Sequence, residues 1–226
     1  PATWLELKEI GILAPGKYAD IVVIHGKLED MNVSKVFLKG EQVAEKGKLL
    51  IDLQAYTYPS TVKNSVKRSH IRPGELKLAS ELDKVKANCI ELILDQNLSG
   101  SIEVELPVVN GYVKSTVDDL LPIAVVGRHG QKDIGRAFVK GFKLKEGAFA
   151  ESVSHDTHNI IVVGTNYEDM AAAVNRVIDM QGGVAVVKNG QILGDLPLRI
   201  AGLMTDELSG EELTNKMLEL HRIVKE

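Results

Sequence analysis

One short apolar run, with polar side chains immediately before it, constrains the fold more than any other segment. Residues 160–163 are continuous, apolar and β-branched, which predicts a buried strand. Four polar residues precede this strand: His155, Asp156, His158 and Asn159. Because polar groups at the mouth of a buried strand usually have a task, residues 152–165 are the first candidate for a functional site.

The imidazole and carboxylate groups of this stretch permit three kinds of chemistry. They could bind a divalent cation, transfer protons, or hold the edge of a purine by paired hydrogen bonds. His155 and His158 lie three residues apart, but the flanking residues favour extended structure, in which positions i and i+3 point to opposite sides. Separate roles are therefore expected, rather than one metal held by both. The alternative is that these residues cap a strand end with satisfied hydrogen bonds.

A second polar pair, Arg128 and His129, lies between Gly127 and Gly130 after another predicted strand. Glycine lets the backbone approach a ligand closely. Arg128 and His129 are therefore candidate binding residues. The alternative is a plain glycine-rich turn with an exposed arginine.

Composition excludes several classes of protein. The formal net charge of −4 leaves no basic excess for phosphates, so nucleic acid is not an expected partner. No apolar run approaches the length of a membrane span, and a signal-peptide pattern is absent, so no membrane partner is expected. The single Cys89 excludes an internal disulfide framework and a thiolate metal cluster, and a cytoplasmic location is the simplest expectation.

Residues 1–52 favour a small β-structure. A turn is predicted at 14–17, a buried strand at 19–24, and a hairpin formed by 33–38 and the residues after the turn at 39–42. Residues 53–72 have the composition of a surface connector. This connector carries a basic cluster that is typical of a solvated face: Lys63, Lys67, Arg68, His70 and Arg72.

Residues 73–226 favour an α+β or mixed α/β domain, because strands alternate with two helices. The predicted strands are 87–94, 101–106, 121–126, 137–144, 148–153, 160–163 and 184–187, with a turn at 97–100. Thr165 and Glu168 fit a capping box for the first helix, and Ser209 and Glu212 cap the second. The pair at 189–190, Asn-Gly, predicts a hairpin.

The N-terminal pattern resembles the return strands of the small β-sandwich in the amidohydrolase superfamily. The residues that carry this resemblance are 11–24, GILAPGKYADIVVI, and 36–40, VFLKG, followed by Val43. In that superfamily a metal-binding (β/α)8 barrel separates the two sets of sandwich strands. The resemblance implies a composite β-sandwich to which residues 1–52 contribute, with residues 1–7 as the end of the helix that leaves the barrel.

The second block is similar, more specifically, to the C-terminal domain of the bacterial adenine deaminases. The matching segments are 153–177, VSHDTHNIIVVGTNYEDMAAAVNRV, and 182–206, GGVAVVKNGQILGDLPLRIAGLMTD, with GRHG at 127–130 and GRAFVKGF at 135–142. With the sandwich strands included, the resemblance covers essentially the whole chain.

The resemblance implies a parent enzyme that converts adenine and water to hypoxanthine and ammonia. Its barrel would bind one or two divalent metals, manganese or iron with zinc as a further option, that activate the attacking water. The chain contains no His-x-His barrel motif and has no room for eight βα units in 226 residues. Because the barrel is missing, we expect the chain to be inactive alone and to bind no metal. It begins with Pro1, so a processed product or a fragment is expected.

The resemblance also implies partners and site residues. Adenine or a related aminated base would be the ligand, a second copy of the chain would complete a homodimer, and the role would lie in adenine catabolism. His155, Asp156, His158, Asn159, Arg128 and His129 are expected to close over the barrel mouth. The family pattern has an acid before Arg-His-Gly, whereas Gly127 stands here, so activity or substrate is expected to differ if that acid matters.

Two other functions stay open at this point. The chain could be a non-catalytic module that binds a small ligand or another subunit through the polar clusters. It could also be a small metal-binding domain that uses His155, Asp156 and His158. The adenine deaminase hypothesis differs from both in expecting exposed strand edges and an exposed apolar surface that an absent barrel would cover.

Overall fold

The computed structural model describes residues 1–94, 96 and 98–225. The chain divides into two compact units, Pro1–Thr57 and Tyr58–Glu226, which are considered separately. Asn97, the first residue of the predicted turn at 97–100, lies outside the described residues, and Ser99 and Gly100 belong to a strand.

The first unit is a four-stranded antiparallel sheet with a short 3-10 helix, Leu28–Asp30. In chain order and in sheet order, its strands are β1 (Ile21–Ile24), β2 (Val33–Leu38), β3 (Glu41–Glu45) and β4 (Lys48–Leu49). The predicted hairpin is confirmed, because β2 and β3 pair across a two-residue turn. The predicted turn at 14–17 is confirmed too, since the N–H of Lys17 donates to the carbonyl of Ala14 at 3.2 Å.

Two expectations for the first unit need correction. The strand predicted as buried at 19–24 begins at Ile21 and has no buried residue, and Val22 is 55% exposed. None of residues 1–57 is buried, because no second layer of the described unit covers this sheet. Residues 1–7 form hydrogen-bonded turns, closed by the N–H of Leu5 on the carbonyl of Pro1 at 3.0 Å, instead of a regular helix.

The second unit is built on a nine-stranded sheet of described residues. Its strands are β5 (Lys84–Leu92), β6 (Ser99–Val109), β7 (Tyr112–Val113), β8 (Leu120–Val126), β9 (Ile134–Lys140), β10 (Ala148–Glu151), β11 (Ile160–Gly164), β12 (Gly183–Lys188) and β13 (Gln191–Pro197). They lie in the order β13-β12-β10-β11-β8-β9-β5-β6-β7, and among the described strands only β5 and β9 pair in parallel. The helices are α1 (Ser60–Lys63), α2 (Tyr167–Asp179) and α3 (Gly210–Lys225), with a 3-10 helix at Pro73–Leu76.

The predicted mixture of strands and helices is confirmed. Each predicted strand corresponds to a strand of the sheet, with ends that differ by a few residues. The cap of α3 is as predicted, because the N–H of Ser209 donates to the carboxylate of Glu212 at 2.8 Å. The cap of α2 lies one residue later than predicted: Asn166, not Thr165, accepts the N–H of Asp169 at 2.7 Å.

The side chains of β12 alternate between two faces of the sheet, and a helix packs on each face. Ala185 and Val187 pack with the apolar face of α2, whereas Val184 and Val186 pack with α3. Successive strand residues point to opposite faces of a sheet, so one apolar strand serves both cores. β12 therefore lies between α2 on one face of the sheet and α3 on the other.

Residues 58–72 do not follow the surface path expected of a connector. Val66 and Ile71 are buried in the core of the second unit. The side chain of Asn175 accepts the N–H of Ile71 at 2.8 Å and donates to its carbonyl at 3.0 Å, so this segment is bonded to α2. The division at 52 and 72 stays a prediction. No helix among the described residues is long and apolar enough to cross a membrane.

Candidate functional site

Strand pairing brings the two predicted polar clusters together. β8 and β11 are antiparallel neighbours, and Val126 at the end of β8 lies opposite Ile160 at the start of β11. Residues 127–130 leave the sheet where residues 154–159 enter it. Two segments about thirty residues apart in sequence therefore form one loop cluster at a single edge.

Arg128 is the centre of this cluster and is only 2% exposed. Its Nε donates to the carbonyl of His158, its Nη1 to Ser65 Oγ at 2.9 Å, and its Nη2 to the carbonyl of Ala201 at 2.8 Å. Burial lowers the pKa of the guanidinium, and three neutral oxygens from distant segments solvate its charge.

The backbone of Arg128 extends the same network. Its N–H donates to Asn159 Oδ1 at 3.2 Å, and its carbonyl accepts the N–H of Lys67 at 2.6 Å. Arg128 thus ties the 154–159 loop to residues 65–67 and to the loop at 201–202. Its predicted role in substrate binding stays a prediction, and the observed contacts are those of a positioning residue.

Gly202 allows the guanidinium to lie against the 201–202 loop. A Cβ atom on Gly202 would lie 2.7 Å from Arg128 Nη1, and the φ of Gly202 is +71°. The loop itself is fixed by Ser152, which is fully buried. Ser152 Oγ donates to the carbonyl of Gly202 at 2.6 Å and accepts the N–H of Gly183 at 2.7 Å.

The histidine loop is a tight turn, which corrects the expectation of opposed histidines. The N–H of His158 donates to the carbonyl of Ser154 at 2.6 Å, and His158 has a φ of +50°. The turn brings the rings of His155 and His158 together, with centroids 4.9 Å apart and planes at 65°. Residues i and i+3 lie on the same side here because the backbone turns and is not extended.

The side chains of the histidine loop differ in their exposure to solvent. His155 and Asp156 are exposed, whereas His158 and Asn159 are half-buried. His158 Nδ1 is buried without a hydrogen-bond partner among the described residues. His129 is exposed, and its Nε2 lies 3.2 Å from the carbonyl of Thr157. The solvent-facing chemistry of the cluster therefore consists of imidazole and carboxylate groups.

Several residues in or beside this cluster were not predicted from the sequence, and Glu151 is one of them. Burial raises the pKa of the Glu151 carboxyl, although the nearby charge of His155 opposes that shift. Ser65, Ser152, Ala201 and Gly202 were also missed. No local pattern marks them, because each partner is more than thirty residues away in sequence.

The three-ligand metal site considered for His155, Asp156 and His158 is not formed. Within the described ranges, no three or more His, Cys, Asp or Glu side chains are grouped so that they could hold a metal ion. The described residues therefore provide no set of ligands that fits a divalent metal.

The fold and the loop cluster define a mixed α/β domain whose exposed imidazole and carboxylate groups are presented by a turn anchored on a buried arginine. A family model described as the adenine deaminase C-terminal domain matches residues 96–226. The chain belongs to this family, and the resemblance seen in its motifs is confirmed.

Individual relatives match nearly the whole chain. Adenine deaminase 1 of Carboxydothermus hydrogenoformans is 57% identical over 225 residues, which are 99% of this chain and 37% of that protein. The adenine deaminase of Desulforamulus reducens is 40% identical over 94% of this chain and 36% of its own length. The adenine deaminase of Bacillus subtilis is 39% identical over 93% of this chain and 37% of its own. The chain thus spans less than two fifths of these relatives.

Proposed function

We propose that this chain serves as the C-terminal part of an adenine deaminase that hydrolyses adenine to hypoxanthine and ammonia. The observation that carries the proposal is the match of 99% of the chain, at 57% identity, to a protein named adenine deaminase 1. On this proposal the protein is a cytoplasmic hydrolase of purine metabolism, in the breakdown of adenine.

Activation of the attacking water belongs, on this proposal, to a barrel outside the chain. Manganese or iron, with zinc as a further option, would lower the pKa of that water. The described residues offer no group of three metal-binding side chains, so no step through a metal is assigned to them. We therefore expect the chain to be inactive and metal-free by itself.

The contribution of this chain would be the loop at 154–159. The exposed imidazole of His155 can donate to a ring nitrogen of adenine, and the exposed carboxylate of Asp156 can accept an N–H from the base. Either group could instead order the water that attacks C6, and His155 could donate a proton to the departing amino group so that it leaves as ammonia. Arg128 and Asn159 act as positioning residues, because their hydrogen bonds hold this loop.

A chimera tests the proposal. This chain would replace the aligned 225-residue portion of the Carboxydothermus adenine deaminase 1. We expect the chimera to release ammonia from adenine with added Mn²⁺ and the isolated chain to show no turnover. A folded, metal-loaded chimera without activity, or turnover by the isolated chain, would contradict the proposal.

A subunit-interaction module is the alternative. The apolar surface that such a module would use is also the surface expected where an absent barrel would cover the strands, so the assembly itself has to be measured. Large apolar side chains of residues 1–57 are strongly exposed, among them Trp4 at 86%, Leu28 at 72% and Leu53 at 73%. Exposed apolar surface of this kind is typical of an interaction site. A homodimer is the assembly that we propose, and sedimentation of the purified protein over a range of concentrations tests it. A chimera that dimerises but does not turn over adenine would favour this alternative.

A further inference from the structure

A separate cavity of about 580 Å³ lies in the second unit, away from the histidine loop. Thr165 and Asn166 line it, and both follow the end of β11. The histidine loop precedes the start of the same strand, so the cavity and the loop cluster are at opposite ends of β11. The volume is within the range of small-molecule binding sites.

Lys77 places a positive charge in this cavity between two aromatic rings. Its Nζ is 5.3 Å from the ring centroid of Tyr112 and 5.8 Å from that of Tyr167. Both distances are those of cation–π contacts. Among the described residues Lys77 forms no ion pair with a carboxylate, so its charge is free to meet an anion.

The backbone fixes this arrangement. Ala79 forms an antiparallel bridge with Tyr112, and the N–H of Val113 donates to the carbonyl of Leu78 at 2.8 Å. The segment that carries Lys77 is thereby bonded to β7, which carries Tyr112. Tyr167 is the first residue of α2, which the core holds in place. The site is therefore built into the fold.

The rest of the cavity supplies an apolar floor and a second cation. Val113, Leu120 and Phe138 line it and are at most 3% exposed. Lys114 also lines the cavity, and Glu168 contributes one opposing charge. Two lysines against one glutamate give a net positive lining over a hydrophobic base. This combination suits a ligand with an anionic head and a flat or apolar body.

We propose that this cavity is a binding site for a small organic anion with an aromatic body, separate from the deaminase site. The anionic group pairs with Lys77, and the body packs on Tyr112 and on the floor around Phe138. Aromatic carboxylates and mononucleotides share this chemistry.

Calorimetric titration of the whole chain tests the proposal with matched probes. The probes are 2-naphthoate, the neutral 2-naphthamide with the same rings, and adenosine monophosphate. We expect Lys77→Gln to weaken binding of the anionic probe by about tenfold, because the charge pair is lost in a partly desolvated site. Lys77→Arg keeps the charge and the cation–π contacts, so its affinity should stay within about threefold of wild type.

The controls separate this site from other apolar surface. Lys216→Gln removes an exposed lysine of α3 outside the cavity and should leave binding unchanged. 2-Naphthamide should bind wild type about as weakly as 2-naphthoate binds Lys77→Gln. A Lys77-dependent preference for the nucleotide over 2-naphthoate would assign the site to nucleotides, and the reverse preference to aromatic carboxylates. Equal affinity of wild type and Lys77→Gln for both anions, or no binding at millimolar concentration, would overturn the proposal whatever the chimera does.

Discussion

Nε of Arg128 donates a hydrogen bond to the main-chain carbonyl of His158, and this bond links two loops that are 30 residues apart in sequence. The carbonyl belongs to the last residue of the histidine turn, so the position of His155 on that turn depends on a buried cation. Loss of the cation would free the turn without touching its exposed side chains.

Replacement of Arg128 by methionine should strongly destabilise the second unit. The carbonyls of His158 and Ala201 and the hydroxyl of Ser65 would lose their donors in a buried setting. We expect a loss of about 3 kcal/mol in the free energy of unfolding, measured with urea. Arg128→Lys should recover less than half, because one ammonium cannot reach all three acceptors. Arg222→Met on the exposed face of α3 is the control, and an equal effect of both methionine variants would contradict this account.

Gly202→Ala should be much more harmful than Gly190→Ala. The two glycines have nearly the same φ, +71° and +72°, so backbone strain is matched. Only at Gly202 would the new Cβ meet Arg128, whereas nothing lies within 4 Å of a Cβ at Gly190. We expect an additional loss of about 2 kcal/mol at Gly202 from the displaced guanidinium. Equal unfolding free energies for the two variants would exclude close packing of Arg128 on Gly202.

Asp169→Asn should destabilise the protein in a pH-dependent way. The buried carboxylate accepts the N–H of Asn189 at 3.0 Å and of Gly190 at 2.7 Å, which ties the β12–β13 hairpin to α2. Burial alone would raise the pKa of Asp169, but hydrogen bonds from Asn166, Gly190 and Asn189 lower it below the ordinary value.

A depressed carboxyl pKa stabilises the folded state above the unfolded pKa, and this stabilisation is lost as the pH falls through the folded pKa. The free energy of unfolding of Asp169→Asn should therefore be about 2 kcal/mol lower than that of the wild type at pH 7, with a smaller difference below about pH 4. Glu168→Gln, one residue earlier and exposed, serves as the control with little change. A deficit that is constant from pH 7 to 3 would contradict the role of the ionised carboxylate.

Glu151→Gln should raise the free energy of unfolding near neutral pH. Burial raises the pKa of this carboxyl, so the folded state binds its proton more tightly than the unfolded state does. The wild type therefore loses stability as the pH rises from the unfolded pKa through the folded pKa, and the glutamine variant does not. The difference in free energy of unfolding between Glu151→Gln and the wild type should grow as the pH rises between the two pKa values and vanish in acid. Glu81→Gln at an exposed position should show no such trend, and a stabilisation independent of pH would refute the assignment to Glu151.

The strand content could be predicted because apolar runs such as 160–163 and 184–187 are short, β-branched and bounded by turn residues. The helix α2 was also predictable, since Met170, Ala173, Val174 and Val177 recur at helical spacing. Strand order was not predictable. The pairing of β8 with β11, which assembles the candidate site, follows from tertiary packing and leaves no local pattern.

The sequence predicts both segments of the candidate site. It does not predict the contacts that each side chain makes there. The exposed arginine of a plain turn is wrong for Arg128, which is 2% exposed and gives its side-chain donors to three protein oxygens, and its role in ligand binding stays a prediction. The histidines were expected on opposite sides because the turn closed by Ser154 and His158 was not foreseen. In both cases the decisive partners are main-chain carbonyl groups, which the sequence pattern does not reveal.

Turnover by the chimera with and without His155 decides whether the histidine turn acts in deamination. In the chimera with the remainder of the Carboxydothermus adenine deaminase 1, His155→Ala should lower kcat for adenine by at least about tenfold, because a group that orients base or water at the reacting centre is lost. His221→Ala, which removes an exposed histidine of α3, should leave kcat unchanged. Equal activity of the two variants and the unsubstituted chimera would contradict a role for the histidine turn in deamination.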